Sequence, residues 1–433
     1  MTLDLARFYQ ACNPSKTLIA GKPDDQKYYI DFSSVRGSNI IQELGRTITR
    51  LSPDAPTCQL FTGHIGCGKS TELIRLKADL ERQGFHVVYF ESSEDLDMAD
   101  VDVTDILLAI ARKVSASLEA IAINLKPYYF VSLFKEINEI LHTPIEISEV
   151  QFSVGIANIT ARTKDSPKLR SQLRQYMEPR TNGILGAINR ELLEPAIKTL
   201  KQKGRKGLVV IIDNLDRLDN SNKSSGRSQP AYLFVDRGEQ LKKLKCHVVY
   251  TIPLVLVFSN DLGLIANRFG IDPKVLPMVP VCFQDGAPCQ EGRALLRQMV
   301  LARAFPDVDE CQRLQRVTEV FESLETLDRL CVVSGGHVRN LLVLLYGCLQ
   351  RKDPPLTWDC LESVIRQRRS ELLLAVTEDE LTLLRQVAQH KHVRGEAGYQ
   401  TLLHSMFVFE YKNTDGNWFD INPVLAEAKE FQS

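Results

Sequence analysis

Short apolar runs and longer amphipathic stretches take turns along the chain. CQLFT (58–62), HVVYFES (86–92), VVII (209–212) and HVVYT (247–251) are apolar runs of strand length. Between them, KSTELIRLKADLERQG (69–84) and DVTDILLAIARKVSASL (102–118) place apolar residues at helical spacing, and the first stops at Gly84. This alternation predicts an α/β fold, a parallel sheet with helices on both faces. VLPMVPV (275–281) predicts a fifth strand, and a helix over about Ile40 to Leu51 precedes the first.

The regular pattern breaks once. Residues from about 119 to 205 exceed what a βα crossover needs. They hold a helical stretch YYFVSLFKEINEIL (128–141), a strand-like FSVGIANITART (152–163) and a long helix from about Pro167 to Lys203. From Gly292 onward the pattern is helical, through GRALLRQMVLARA, CQRLQRVTEVFESLETLDRLCVV and HVRNLLVLLYGCLQ. The final segment reads TEDELTLLRQVAQHK as a helix with a capping box, EAGYQTLLHSM as a second helix, and MFVFEYKN–TDGN–WFDIN as a hairpin with an Asp-Gly turn. The expected organisation is a leading segment over 1–50, a core over 51–290 with its insert at about 119–205, a helical lid over 291–355, and a terminal domain over 356–433.

Composition narrows the class. The 433 residues are 44% hydrophobic and 25% charged, enough for a large core and unlike a disordered chain. A net charge of −1 provides no global field toward nucleic acid or anionic lipid. The N-terminus lacks a basic start followed by an apolar run, and VVYTIPLVLVF (248–258) is too short to span a bilayer. Ten scattered cysteines without metal-ligand spacing suit reduced thiols, so a cytoplasmic location without membrane contact is expected.

The strongest chemical signal is GHIGCGKST, Gly63 to Thr71. It fits G-x-x-x-x-G-K-[ST] between a strand and a helix. Gly63, His64, Ile65, Gly66, Cys67 and Gly68 form a loop whose N–H groups can turn toward phosphates. Lys69 brings a point charge, Ser70 a hydroxyl for Mg²⁺, and Thr71 continues the helix whose positive end faces the anion. Cys67 is either a thiol activated by the helix start or a small residue that fits. The second signal is VVIIDNLDRL (209–218), a buried strand ending in Asp213, suited to a Mg²⁺-bound water beside Ser70.

A strand-terminal D-x-L-D-R-L downstream of such a loop resembles the AAA+ and STAND superclass of P-loop ATPases, in particular KAP ATPases and origin-recognition ATPases. The resemblance extends over roughly 25–425 and implies ATP and Mg²⁺ as ligands, a P-loop NTPase core, a helical lid and a winged-helix domain. In several STAND families the water-activating carboxylate lies three residues past the Mg²⁺ aspartate, here Asp216; a helix cap or a partner for Arg217 is the alternative. The residue after Asp213 is Asn214, which takes no proton, so slow hydrolysis is expected. Thr251 holds the position of a γ-phosphate sensor. SGGHVRNLL (334–342) resembles the second sensor, with Arg339 over the phosphates or, alternatively, solvated at a helix start; His337 and Val338 depart from the family's usual residues. Arg268, in NRFG, stands where ring-forming relatives reach a neighbour's nucleotide. YIDFSSVRG (29–37) resembles the segment that meets adenine, with the Gly-Arg order reversed at Arg36 and Gly37.

The resemblance implies a slow switch ATPase that couples nucleotide state to homo-oligomer assembly or to a protein partner. The alternatives are a DNA-binding initiator or transposition-type regulator, and a non-hydrolysing nucleotide-binding scaffold. DNA is not the favoured partner: Glu396 to Met406, the helix that would enter a groove, has no Lys or Arg. The basic runs 391–394 and 366–369 fit phosphate contact or an ordinary solvated face. The hairpin's Phe409, Tyr411, Trp418 and Phe419 suit packing on the protein itself or on a partner.

Overall fold

The computed structural model describes residues 3–19, 22–37, 39–125, 128–141, 154, 166–223 and 226–431. The strand-like stretch 152–163 lies, except for Val154, outside the described residues. Five strands form one sheet: β1 Cys58–Gly63, β2 His86–Glu91, β3 Leu208–Asp213, β4 His247–Thr251 and β5 Lys274–Leu276, in the order β2-β3-β4-β1-β5. The pairings β1–β4, β2–β3 and β3–β4 are all parallel, as the apolar runs predicted. The fold is thus a P-loop NTPase α/β fold with a helical C-terminal region. The fifth strand is shorter than VLPMVPV suggested, because Pro277 and Pro280 cannot donate to a ladder.

Spatially the chain divides into two compact units, and neither is one run of sequence. Unit 1 joins residues 1–40, 63–75 and 275–433; unit 2 joins 41–62 and 76–274. The sequence-based run 51–290 therefore contributes to both.

Unit 2 holds most of the sheet. Strand β3 is buried along its whole length. Its core gathers Val88, Phe90, Val210, Ile212 and Val248 from the strands with Ile106, Leu107 and Ile110 of the helix Val103–Glu119. That helix starts at a capping box, Asp102 with Asp105. The long helical stretch of the insert is a nearly unbroken succession of turns from Pro167 to Gln202, with 3₁₀ and π segments inside it. Its Ile184, Ile188, Leu192 and Leu200 enter the same core.

Unit 1 has its own core. The helices Gln290–Ala304, Leu324–Val333 and Val338–Leu349 supply Leu296, Leu330, Cys331, Leu341 and Leu345. The leading segment is more than a connector: its helix Leu5–Ala11 inserts Phe8, and Cys12 and Phe32 join the same cluster. The stretch 311–333, read as one helix, breaks into two helices with a 3₁₀ turn between, and a Ser323 cap restarts the second. At the end of the chain come the helices Glu378–His390 and Ala397–His404, then the antiparallel hairpin β6 Val408–Asn413 and β7 Gly416–Ile421. Asn413 pairs with Gly416, so the turn centres on Thr414-Asp415 rather than Asp-Gly. No helix among the described residues is long and apolar enough to cross a membrane, and all ten cysteines are free.

Candidate functional site

The phosphate loop leaves the C-terminal end of β1 and opens the helix Lys69–Arg82. Gly66 and Gly68 have φ of 92° and 106°, values that side chains rarely adopt, so the loop can fold its amides to one side. Lys69 is buried and donates to Gly63 O at 2.7 Å and His64 O at 2.8 Å, folded over its own loop. Ser70 and Thr71 are half-buried in the first helical turn, where unsatisfied N–H groups and the helix dipole favour an anion.

Three successive loop carbonyls accept from donors outside the loop. Ile65 O lies 2.9 Å from His337 Nε2; the His337 Nδ1 accepts the Asn340 N–H at 2.9 Å, which puts the ring proton on Nε2. Gly66 O accepts the backbone N–H of Arg339 at 3.2 Å. Cys67 O accepts from Arg36 Nη2 at 2.8 Å. Burial holds His337 neutral, pushing its pKa down to about 3. The helix Val338–Leu349 starts against the loop so closely that a Cβ on Gly66 would lie 2.8 Å from Arg339 Cβ and 2.9 Å from His337 Cε1.

The hairpin reaches the same loop. His64 is fully buried, and its Nε2 accepts the Glu410 N–H at 3.1 Å. Phe409 stacks on His337 at 5.4 Å and meets His64 edge-on at 5.9 Å. Tyr411 donates its hydroxyl to Gly335 O at 2.8 Å, and Trp418 stacks on Tyr411 at 4.4 Å. Phe409, Tyr411, Trp418 and Phe419 are all buried, so these aromatics are occupied inside the protein's own fold. The Glu410 carboxyl is fully buried and neither oxygen has a hydrogen-bond partner among the described residues; burial pushes its pKa up to about 8.

Farther along the helix Lys69–Arg82, Glu72 accepts the Tyr29 hydroxyl at 3.1 Å, and Arg75 pairs with Asp31 at 3.1 Å and hydrogen-bonds Tyr29. The segment 29–37 is thus anchored to this helix and, through Arg36, to the loop.

In unit 2, Asp213 ends β3 fully buried. Tyr89 of β2 donates to its Oδ2 at 2.8 Å, and the Asn214 N–H to its Oδ1 at 2.7 Å. Asn214 adopts a left-handed conformation, φ 66°, that turns the chain sharply off the strand. Its Nδ2 donates to Glu91 Oε2 at 2.7 Å and to Ser93 Oγ at 3.2 Å. Glu91 is the last residue of β2, in register with Asp213. Nothing within HVVYFES itself marks Glu91; its signal is a carboxylate ending the strand next to the acidic one. Asp216 is buried in the 3₁₀ turn Leu215–Arg217. Thr251, at the end of β4, accepts the Leu215 N–H at 3.0 Å and donates to Ile212 O at 3.3 Å, so its hydroxyl ties β4 to the exit of β3.

Unit 1 therefore brings together Gly63 to Thr71 with Arg36, His337, Arg339 and the hairpin. Unit 2 brings together Asp213, Asn214, Asp216, Thr251 and Glu91. Arg268 stands apart, exposed near the end of the helix Leu262–Phe269, with Nη1 donating to Asp236 O at 3.3 Å. No His/Cys/Asp/Glu cluster of metal-binding geometry occurs among the described residues. The ordinary P-loop way of holding Mg²⁺, one hydroxyl and one water-mediated carboxylate, needs no such cluster.

Residues 38–225 match the KAP family P-loop domain. A comparison with curated protein sequences finds no match. Among solved structures, the chain is similar to a Walker-type ATPase of Pyrococcus abyssi (12% identity, 98% of this chain and 100% of that one, TM-score 0.43). It is also similar to the ORC2 protein of Aeropyrum pernix, solved in ADPNP-ADP complexes (12% identity, 98% and 95%, TM-score 0.45), and to the ORC1 protein of that organism in complex with DNA (12%, 97% and 96%, TM-score 0.38). With its glycine-turned phosphate loop between β1 and a helix, its acidic β3 and this domain match, the chain is a P-loop NTPase whose residues 38–225 resemble the KAP family P-loop domain.

Proposed function

We propose that the protein is a slow switch ATPase: it binds ATP with Mg²⁺, hydrolyses it at a low rate, and couples nucleotide state to self-assembly or to binding a protein partner. The observation that carries this reading is the acidic strand end. Asp213 is present, but its neighbour is Asn214, whose side chain is committed to Glu91 and Ser93. An amide is no general base, so the strong water-activating group of a motor is missing at that position.

In this reading Gly63 to Gly68 cradle the β- and γ-phosphates, Lys69 turns from its own loop carbonyls to the phosphates, and Thr71 adds to the helix start. Ser70 and Asp213 hold Mg²⁺, which when bound neutralises phosphate charge. Asp216 is the base that orients water, Thr251 aligns the β3 exit, and Arg339 meets the phosphates from the lid. Arg268, exposed on its helix, serves a neighbouring copy in an oligomer. The two terminal helices and hairpin act as a winged helix with an internal role. What supports that role is the burial of Phe409, Tyr411, Trp418 and Phe419 and the Glu410 bond to His64.

Titration calorimetry with ATP·Mg²⁺ tests the first step. The parent binds and Lys69→Ala loses on the order of 2–5 kcal/mol, because a desolvated phosphate charge loses its partner. Equal affinity for parent and variant sinks the loop assignment. Phosphate release, with light scattering in ATP analogue, ADP and no nucleotide, tests turnover and assembly. A parent that releases no phosphate over hours is a scaffold, and one that never changes mass removes the assembly role of Arg268.

A further inference from the structure

The phosphate loop is held from behind. Ile65 O, Gly66 O and Cys67 O, three carbonyls in a row, accept from His337, from the Arg339 backbone and from Arg36. These donors come from two distant parts of the chain: Arg36 is 31 residues before Cys67, and His337 is 272 residues after Ile65. In a planar trans peptide the C=O and the following N–H point in opposite directions. Holding the three oxygens outward therefore turns the N–H groups of Gly66 and Gly68 to the other side of the loop, while the Cys67 N–H closes a turn on His64 O at 3.2 Å. The glycine conformations at Gly66 and Gly68 permit that alignment without strain.

We propose that His337 and Arg36 are positioning residues for the phosphate loop, pre-setting its amides for a polyphosphate before any nucleotide arrives. Neither side chain contacts the ligand; each acts through a loop carbonyl. Both are built for the task. His337 is 1% exposed and its tautomer is fixed, because Nδ1 accepts the cap N–H of Asn340 and Nε2 must then donate. Arg36 is 3% exposed and packs 5.4 Å over the Phe32 ring, so its guanidinium is immobilised by packing. A loop that is ordered in advance binds phosphate without the cost of ordering it at the moment of contact. The inference rests on the nucleotide-binding reading above and extends it to residues outside the phosphate-binding motif.

The test separates positioning from stability. His337→Asn keeps an N-cap but cannot reach Ile65 O; Arg36→Gln removes the other side-chain donor. Phe409→Leu removes the ring stacked on His337 and leaves both donors, so it reports packing alone. The affinities of ATP, ADP and adenosine are measured by calorimetry, and amide exchange over residues 64–69 is followed in ligand-free protein. Each donor variant weakens ATP and ADP about tenfold, the worth of one well-made hydrogen bond, while adenosine changes less than twofold. Exchange in the loop rises in both, whereas Phe409→Leu preserves the ATP-to-adenosine ratio. Unchanged ratios and unchanged exchange in the two donor variants overturn the proposal. If the parent binds ATP and Lys69→Ala does not, the nucleotide-binding reading survives that failure; a parent that binds no ATP removes both. The exchange measurement decides even where a variant binds too weakly for calorimetry.

Discussion

The phosphate loop of unit 1 and the acidic end of β3 in unit 2 carry the two most specific motifs, yet they are supported in opposite ways. The loop is supported by partners far away in sequence: Arg36, His337, and the Glu410 N–H on His64, 346 residues away. The acidic end is supported by its neighbours in the sheet. Glu91 and Tyr89 come from the adjacent strand in register, and Thr251 from the strand on the other side. Strand register delivers those contacts whenever the sheet forms, so the acidic end needs no outside element to hold its shape. The loop, an irregular backbone, finds donors elsewhere for Ile65 O, Gly66 O and Cys67 O. Its geometry therefore depends on the lid and the hairpin of its own unit, whereas that of Asp213 does not.

The largest effect that sharpens this contrast lies at the acidic end. Asp216→Asn is expected to cut turnover by ~10²–10⁴-fold with nucleotide affinity little changed, the usual worth of a general base. Glu91→Gln on the same preparations is the decisive companion, since Glu91 is the other carboxylate beside Asn214. Loss in Glu91→Gln with turnover intact in Asp216→Asn transfers the base role to Glu91.

On the loop side, Gly336→Ala is expected to destabilise unit 1 by about 3 kcal/mol, in the range of a severe steric change. The added Cβ would sit 1.6 Å from Val279 O, at a φ of 70° that alanine resists. Nucleotide binding falls with it, because the residue precedes His337. Calorimetric melting alongside ATP titration reads both; a variant as stable as the parent would mean that Val279 yields freely.

A smaller effect follows from Glu410. Its carboxyl pKa is raised to about 8, so its contribution to stability is fully present below the ordinary carboxylate value and is lost as pH rises through about 8. His337, lowered to about 3, works in the opposite direction: its contribution is present above the ordinary imidazole value and is lost as pH falls toward 3. The contributions of these two groups together are greatest between those two ordinary values, about pH 4.5–6.5. Glu410→Gln is expected to flatten the decline between about pH 6 and pH 8. Parallel melting curves for parent and variant across that range would break the assignment.

How much of this was legible in the sequence follows the same division. Gly63 to Ser70 and Asp213 were readable because spacing alone constrains them: a tight loop between strand and helix, and a carboxylate ending an apolar run. Arg339 was placed at the lid helix start, where the structure has it. His337 was read only as a departure from the family's pattern, because nothing in SGGHVRNLL tells which carbonyl its far nitrogen meets. Arg36 was likewise read as a reversed Gly-Arg pair, while its grip on Cys67 O exists only in three dimensions. Glu91 was missed because a strand-ending carboxylate becomes informative only after strand order places it beside Asp213. The single helix read over 311–333 failed on a local signal, the Ser323 cap in the middle of an apolar pattern.

Unit 1 is assembled from residues 1–40, the short piece 63–75 and residues 275–433. Synthesis runs from the N-terminus, so its contacts become available in a fixed order. The helix Leu5–Ala11 emerges early, but the Arg303 guanidinium that donates to Ala11 O lies 292 residues later. The phosphate loop likewise exists long before His337 and Glu410 can touch it. All residues of unit 2 have been made once residue 274 emerges. Domains generally fold as units during translation, and long-range closures are slow. The nascent chain therefore carries an unfinished phosphate loop until the hairpin Val408–Ile421 is made. The Glu410 N–H that meets His64 lies 346 residues after it, which ties a finished loop to a finished hairpin.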